Sequence, residues 1–338
     1  MLYLKQNVLQ EWVTFLIGSQ PYRYRCWHRS SEQWCLQGKT YHTFGTIHVV
    51  FGLISMVITG LILCILRSHS LMKSTCYKIL LALGMISWFS VGTLSIWPGF
   101  MSIRGTVFCN YPFLGMIAGR SLTLEWVAGS SLCLFLAFNR IADMTRNKIL
   151  LKFFDKPIKV LFTFSSIFLY SSSFAFITDP CLYNSSLRGY SINPYNEEEP
   201  DLFSNIWIHF HNVSFIIFLS IIAVVVVYKL CTDRENCWRG TSDLQRKLLL
   251  QSIFISTQYL IPCFVYLISY FWSTAEQPQC FIEGSHVWME VTAGFNGVVC
   301  LFFNRPIRVK FLKEIGLKNY VIQPNKRTSA PSVTRSVM

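Results

Sequence analysis

Long apolar segments recur along the chain, and most polar residues lie between them. Seven segments are long and apolar enough to be membrane spans: 44–66, 77–97, 113–138, 158–178, 206–228, 248–272 and 285–303. A helix needs about 20 apolar residues to cross the hydrocarbon layer of a bilayer, and it satisfies its own backbone hydrogen bonds there. The pattern therefore predicts an all-α fold, a bundle of seven transmembrane helices.

The pattern changes after the last of these segments. Apolar residues stand at 307, 311, 312 and 315, with basic residues between them, which is typical of an amphipathic helix on a membrane surface. We therefore divide the chain into an extracellular N-terminal segment (1–43), the bundle (44–303), a cytoplasmic amphipathic helix (304–319) and a disordered cytoplasmic tail (320–338).

The composition agrees with a membrane protein. Only 14% of the residues are charged and 52% are hydrophobic, whereas soluble domains carry about 25% charged residues. So little charge could not cover the surface of a soluble protein of this length. A soluble enzyme and a disordered chain are both excluded on this ground.

The formal net charge of +13 is unevenly distributed. The first, third and fifth connections and the tail, counted with Lys78 and Lys159 at the adjoining ends of the second and fourth spans, hold 22 of the 30 Lys and Arg residues. Because basic residues collect on the cytoplasmic side, we expect an extracellular N-terminus, a cytoplasmic C-terminus and a multi-pass protein of the plasma membrane. The positive charge is thereby explained without a nucleic-acid partner.

Cysteine and asparagine side chains on the predicted outer side suggest two modifications. Cys109 precedes the third span and Cys181 follows the fourth, so we expect a disulfide between them, with two unrelated thiols as the alternative. Whether Cys26 pairs with Cys35 is left open. Asn184 begins an Asn-Ser-Ser triplet in the same outer loop and is a predicted glycosylation site.

Ionisable residues inside spans are costly in lipid and are therefore candidates for function. Arg120 and Glu125 lie in the third span and Glu290 in the seventh. We expect Arg120 to reach Glu290 and to form a polar floor below an outer cavity, which either contacts a ligand or serves packing alone. Weaker ligand-binding candidates are Trp126, His209, His211 and Trp288, because an aromatic or His side chain in a helical bundle is more often a packing residue.

Pro262 lies within the sixth span. Proline removes a helical N–H and bends the helix, so the cytoplasmic half could swing outward as part of a switch. A static bend is the alternative interpretation.

Several short motifs together resemble a known family. The third span ends in Leu-Ala-Phe-Asn-Arg at 136–140, after Cys109, Gly119 and Trp126. The seventh span holds Gly-Phe-Asn-Gly at 294–297 and runs into Phe-Asn-Arg-Pro-Ile-Arg at 303–308. This set, over nearly the whole chain, resembles the nematode serpentine chemoreceptors of class T, which are seven-helix G-protein-coupled receptors.

The resemblance implies chemosensory signalling through a heterotrimeric G protein. It places Arg140 at the cytoplasmic end of the third helix, beside Asn139 where many such receptors have an acidic residue. An ion pair between these two neighbours is therefore not expected. The resemblance also assigns Asn296, Asn304 and Arg305 to the switch or to G-protein coupling.

No phosphate-binding loop, zinc-protease motif or nucleophile elbow is present in the sequence, so catalysis is not expected. We likewise expect no cofactor and no metal site. The predicted function is binding of a small extracellular ligand that shifts the bundle toward a conformation favouring a G protein. A seven-span transporter or ligand-gated channel is the alternative, and a structural membrane protein without a ligand is a third.

Overall fold

The computed structural model describes residue 26 and residues 30–145, 147–192, 205–232, 243–271 and 278–317. Its long helices are α1 (His42–Leu66), α2 (Thr75–Arg104), α3 (Pro112–Thr145), α4 (Pro157–Ile177), α5 (Ile206–Thr232), α6 (Asp243–Phe271) and α7 (Gln279–Phe303). A shorter helix, α8 (Arg305–Glu314), follows. Two further short helices, Ser31–Cys35 and Lys148–Phe154, lie before α1 and between α3 and α4.

Within the described residues, seven helices are long and apolar enough to cross a membrane, which confirms the predicted seven-helix fold. Each predicted span lies within one of α1 to α7, except that Thr178 caps α4 and Trp272 lies outside the described residues. Large apolar side chains on α1, α4 and α5 are exposed, as expected for faces that contact lipid. Helix α3 is the most buried and packs against α2, α4, α5 and α6.

Helix α2 contains a π-helical turn, Gly92–Ile96, between α-helical parts Thr75–Val91 and Trp97–Arg104. Pro98 stands two residues after the end of this turn. Its ring would clash with the carbonyl of Leu94 and it lacks the N–H that this carbonyl would accept, so a wider turn relieves both problems. The turn shifts the side chains on either side of it relative to a regular helix.

Two strands, β1 (Leu182–Asn184) and β2 (Gly189–Ser191), form an antiparallel hairpin after α4. Arg188 in its turn has a left-handed backbone conformation and forms an ion pair with Glu283 of α7. The Gln279 side chain also donates to the backbone carbonyl of Leu187. The hairpin is therefore fastened to the start of α7, and we call this end of the bundle the hairpin end and the other the Arg140 end.

The disulfide at the hairpin end differs from the predicted one. Cys109 is bonded to Cys26, with Cα atoms 5.4 Å apart, and Cys181 is a free thiol. The predicted Cys109–Cys181 bond is therefore wrong, and Cys26 is not available to Cys35. Burial raises the pKa of the Cys181 thiol to about 12, so this thiol stays protonated at neutral pH.

A close backbone contact holds the loop of Cys181 against α3. A Cβ atom on Gly119 would lie only 2.4 Å from the carbonyl oxygen of Cys181. Only glycine leaves room for this approach. The position of the loop therefore depends on the absence of a side chain at residue 119.

Helix α8 begins where the sequence predicted an amphipathic helix. The Asn304 side chain accepts a hydrogen bond from the Ile307 N–H, and Pro306 stands in the first turn, where a missing N–H costs nothing. Ile307 is fully buried, and the Lys310 ammonium group donates to Ser68 and Ser70 before α2. The predicted tail at 320–338 lies outside the described residues.

Candidate functional site

Two buried carboxylates meet hydroxyl groups from the π-turn of α2. The Thr93 hydroxyl donates to Glu125 Oε2 of α3 over 2.7 Å, and the Ser95 hydroxyl donates to Glu290 Oε1 of α7. In lipid, such hydrogen bonds offset part of the cost of burying a carboxylate. The altered turn thus supplies donors to two neighbouring helices.

Glu290 also contacts α1. Its Oε2 atom lies 2.6 Å from His48 Nδ1, and the imidazole of His286, one turn before Glu290, is packed against that of His48 at a centroid distance of 5.3 Å. All three side chains are buried. The predicted pair between Arg120 and Glu290 is therefore wrong, because Glu290 finds its basic neighbour on α1 instead.

Arg120 faces the end of α4. Its guanidinium donates to the backbone carbonyls of Ala175, over 2.7 Å, and Thr178, over 3.4 Å. These carbonyls lie at the C-terminus of a helix, where they lack helical partners and favour a positive charge. This capping contact accounts for the position of a buried arginine between α3 and α4.

A second group of polar side chains crosses the middle of the bundle. Asn296 of α7 donates to Ser87 of α2 over 2.7 Å and to Tyr259 of α6 over 3.5 Å. The ring of Tyr259 packs on Trp126 of α3, whose indole N–H donates to Asn212 of α5 over 3.0 Å. We call these five residues the central polar chain.

Gly129 makes room for the central polar chain. A Cβ atom at this position would lie 2.6 Å from the Tyr259 hydroxyl oxygen. The hydroxyl can therefore reach between α3 and α7 only because residue 129 has no side chain.

The two candidate histidines on α5 have different neighbours. His211 is buried, with Nε2 2.8 Å from the Ser130 hydroxyl and Nδ1 3.1 Å from the Tyr170 hydroxyl. His209 packs its ring against Tyr266 at 4.9 Å. His211 therefore links α5 to α3 and α4, whereas His209 faces α6.

Pro262 and Trp288 both determine the hydrogen bonding of one backbone carbonyl, that of Gln258. Pro262 cannot donate to the carbonyl of Gln258, four residues earlier in α6. That carbonyl accepts instead from the Trp288 indole of α7, over 3.4 Å. The Thr292 hydroxyl of α7 lies 3.3 Å from the same carbonyl oxygen and shares its proton with the Trp288 carbonyl, 2.9 Å away. The proline thus creates a hydrogen-bond link between α6 and α7.

At the Arg140 end, the buried Arg140 has an acidic partner one turn later. Its guanidinium lies 3.0 Å from Asp143 and also donates to the Asn139 side chain. The Tyr77 hydroxyl donates to Asn304 over 3.1 Å, which joins α2 to the start of α8. Arg305 beside it is exposed.

The predicted glycosylation site has a constrained side chain. Asn184 lies in β1, only 6% of its surface is exposed, and its Oδ1 atom accepts from the Ser186 N–H over 2.9 Å. A glycan at this position would require the amide to leave this contact, and glycosylation stays a prediction.

Sequence reasoning missed His48, Thr93, Ser95, Asp143 and His286. His48 and His286 could have been found, because each is an ionisable residue inside a predicted helix. Asp143 follows Arg140 at helical ion-pair spacing, which is also a sequence signal. The two hydroxyl residues gave no such signal, since Ser and Thr are common in spans and only the π-turn sets their direction.

Comparisons with known proteins agree with this geometry. A family model described as "Serpentine type 7TM GPCR chemoreceptor Srt" matches residues 11–324. Serpentine receptor class T-55 of Caenorhabditis elegans is 26% identical over 312 residues, covering 90% of this chain and 83% of that protein. The crystal structure of squid rhodopsin matches with a TM-score of 0.64 at 15% identity, covering 86% of this chain and 92% of rhodopsin.

The likeness to rhodopsin shows the fold, and the family match shows more. It extends over all seven spans, and the motifs quoted above lie within it, which confirms the resemblance inferred from the sequence. The chain is therefore a multi-pass membrane protein and belongs to the serpentine type 7TM GPCR chemoreceptor Srt family.

Proposed function

We propose that this receptor binds a small extracellular molecule and passes the signal to a heterotrimeric G protein. The observation that carries the proposal is the central polar chain. Its five side chains come from α2, α3, α5, α6 and α7, and hydrogen bonds and one ring contact connect them. A molecule that displaces any one member changes how several helices pack against one another.

The ligand is proposed to lie beside Trp126, toward the hairpin end. Glu125 adjoins Trp126 in the chain, His211 contacts Ser130 one turn after Trp126, and Trp288 donates to the carbonyl of Gln258, which adjoins Tyr259. His209 packs on Tyr266, two turns after Tyr259. Together these side chains supply polar groups and aromatic rings. This mixture suits a small, partly apolar molecule with one or two polar groups. We do not include Arg120 and Glu290 in this proposed pocket. Arg120 donates to backbone carbonyls at the end of α4, and Glu290 contacts His48 of α1.

The hairpin end is proposed to be extracellular. It holds the Cys26–Cys109 disulfide, and disulfides persist in oxidising compartments. Basic residues are concentrated in the connections at the opposite end, which favours the cytoplasm for the Arg140 end. Both arguments give the same orientation in the plasma membrane.

The G protein is proposed to bind the Arg140 end. Release of Arg140 from Asp143, together with a movement of the half of α6 that precedes Pro262, would open a cleft there. The G protein would bind this opened state more tightly, so ligand and G protein would strengthen each other's binding.

The proposal is tested by a screen of odorants and metabolites in cells that carry the receptor, with a second-messenger readout. A ligand found there is then used with purified receptor and G protein to measure nucleotide exchange. We expect exchange to depend on the ligand. Ligand-dependent ion current or flux without a G protein would favour a channel or transporter instead.

A matched pair of variants locates the ligand. Trp126→Phe keeps an aromatic ring but loses the hydrogen bond to Asn212, so we expect a weaker ligand response at unchanged surface level. Trp207→Phe alters an exposed tryptophan on α5 and should leave the response unchanged. Equal responses from both variants would exclude Trp126 from the ligand site.

A further inference from the structure

Three potential metal-ligating side chains meet between α1 and α7. One ligand atom from each of His48, His286 and Glu290 lies within 4.8 Å of the other two. His286 and Glu290 are four residues apart on α7, so they project from the same face of that helix. His48 completes the group from α1, and we call these three residues the His-Glu cluster.

The ring of His286 has unused hydrogen-bonding capacity. Only 1% of its surface is exposed, and within the described part of the chain neither ring nitrogen has a hydrogen-bond partner. Its neighbours are the rings of His48, Tyr183 and Tyr190, at centroid distances of 5.3 to 5.6 Å. A buried polar group without a partner is costly, which indicates that something else binds this imidazole.

The types of ligand atom narrow the choice of ion. Two imidazoles and one carboxylate are a donor set that binds Zn²⁺ and leaves a fourth position open. Calcium and magnesium prefer oxygen ligands and are a poor match. Ligand atoms around tetrahedral zinc lie roughly 3.4 Å apart, so small side-chain rotations would bring this cluster to the required spacing.

The surroundings favour an ordered site. The Ser95 hydroxyl donates to Glu290 Oε1, which fixes the carboxylate while Oε2 faces His48. Such contacts from the second shell orient metal ligands and strengthen binding. The hairpin, which is fastened to α7 through Arg188 and Glu283, places Tyr183 and Tyr190 over the cluster.

We propose that His48, His286 and Glu290 form a binding site for a divalent transition-metal ion, with Zn²⁺ as the best match. The ion binds at the hairpin end, joins α1 to α7 and takes water or another donor at its fourth position. This site is separate from the proposed ligand pocket beside Trp126, and its binding can be measured without any signalling partner.

The test uses the full-length receptor, purified, stripped of metal by a chelator and titrated with Co²⁺ and then with Zn²⁺. We expect saturable visible absorption typical of four-coordinate cobalt, with one ion per chain, and its loss when zinc is added. Glu290→Gln and His286→Ala should each weaken binding about tenfold or more, since each removes a ligand. His69→Ala, at an exposed histidine before α2, should bind as the unmodified receptor does.

A second variant tests the site without depending on a loss of binding. His286→Cys replaces one imidazole by a thiolate, another good ligand for zinc and cobalt. We expect this variant to show a new near-ultraviolet sulfur-to-cobalt charge-transfer band. No saturable cobalt absorption in the unmodified receptor, equal affinity in Glu290→Gln, or the absence of the band in folded His286→Cys would each overturn the proposal and leave a hydrogen-bonded packing cluster.

Discussion

Arg140 has two partners on its own helix, the neighbouring Asn139 and Asp143 one turn later. The sequence predicted no ion pair between Arg140 and its direct neighbour, because Asn139 is an amide. The structure shows that the acidic group is supplied from another position. A buried guanidinium needs a charged or strongly polar partner, but that partner need not occupy the same position in every receptor.

We expect Asp143→Asn to raise signalling in the absence of a ligand. The substitution keeps the size of the side chain but removes the negative charge that forms the 3.0 Å ion pair with Arg140. An Arg140 without this ion pair is freer to adopt other contacts, which would increase the population of the active state. Basal nucleotide exchange, measured at equal surface expression, checks this.

Glu314→Gln is the control, because Glu314 is exposed at the end of α8. It should leave basal exchange unchanged. A similar rise in both variants would point to a general effect of surface charge, and no rise in either would remove Asp143 from the switch.

Among the elements, α2 contains a π-turn that sets its contacts with two neighbouring helices. Apolar periodicity predicted its location but not its π-turn, since both kinds of turn bury the same types of side chain. The turn directs Thr93 to α3 and Ser95 to α7. In a regular α-helix without the extra residue of the π-turn, the side chains after the turn would be rotated by about 100° about the helix axis relative to those before it. Predicted helix faces in α2 are therefore unreliable across residues 92–96.

Contact between α1 and α2 requires glycine on both helices. A Cβ atom on Gly99 would lie 2.7 Å from the Gly45 carbonyl oxygen, and one on Gly45 would lie 2.6 Å from the Gly99 carbonyl oxygen. We expect Gly99→Ala to lower stability by about 1–3 kcal/mol, because the helices must move apart. Thermal unfolding of the purified receptor measures the change.

Gly284→Ala in α7 is the control, because a Cβ atom there would meet nothing within 4 Å. Alanine also favours a helix over glycine, so the melting temperature should stay the same or rise. If Gly99→Ala melted like the control, the close approach of α1 and α2 would be refuted.

The link between α6 and α7 gives a prediction for Pro262. Pro262→Ala restores an N–H that can donate to the Gln258 carbonyl, in competition with Trp288 and Thr292. We expect weaker coupling of the two helices and an altered ligand response at normal surface level. Thr292→Val, which removes the hydroxyl with little change in volume, should shift the response in the same direction.

The double variant separates a switch from a static bend. Because both substitutions act on one carbonyl, their combined effect should be smaller than the sum of the two. Additive effects would mean that Pro262 and Thr292 act independently. Equal losses of surface level and response for Pro262→Ala would support a static bend.

For the whole molecule, apolar segments predicted the fold because burial in lipid constrains every residue of a span. The seven helices and the amphipathic α8 followed from length and pattern alone. Contacts between helices did not, since they depend on how each helix is rotated about its axis. For this reason the sequence predicted Arg120 as the partner of Glu290, whereas the structure gives His48. For the same reason it predicted a bond between Cys109 and Cys181, whereas Cys109 is bonded to Cys26 and the loop of Cys181 packs on Gly119.

The orientation of the whole chain gives a further prediction. An epitope tag at the N-terminus should be stained by antibody on intact cells, whereas a tag at the C-terminus should require permeabilised cells. The reason is the concentration of basic residues at the Arg140 end. The reverse staining pattern would contradict both the orientation and the proposed site of G-protein binding.

The Cys26–Cys109 disulfide has a consequence for how the receptor is made. Both cysteines belong to the first third of the chain, and the long helices described between them are α1 and α2. In the proposed orientation, both thiols reach the lumen of the endoplasmic reticulum while the ribosome is still synthesising later helices. The bond can then close over a two-helix hairpin, before Cys181 and Cys280 emerge as competing thiols. The order of synthesis would therefore keep Cys181 and Cys280 from pairing with Cys109.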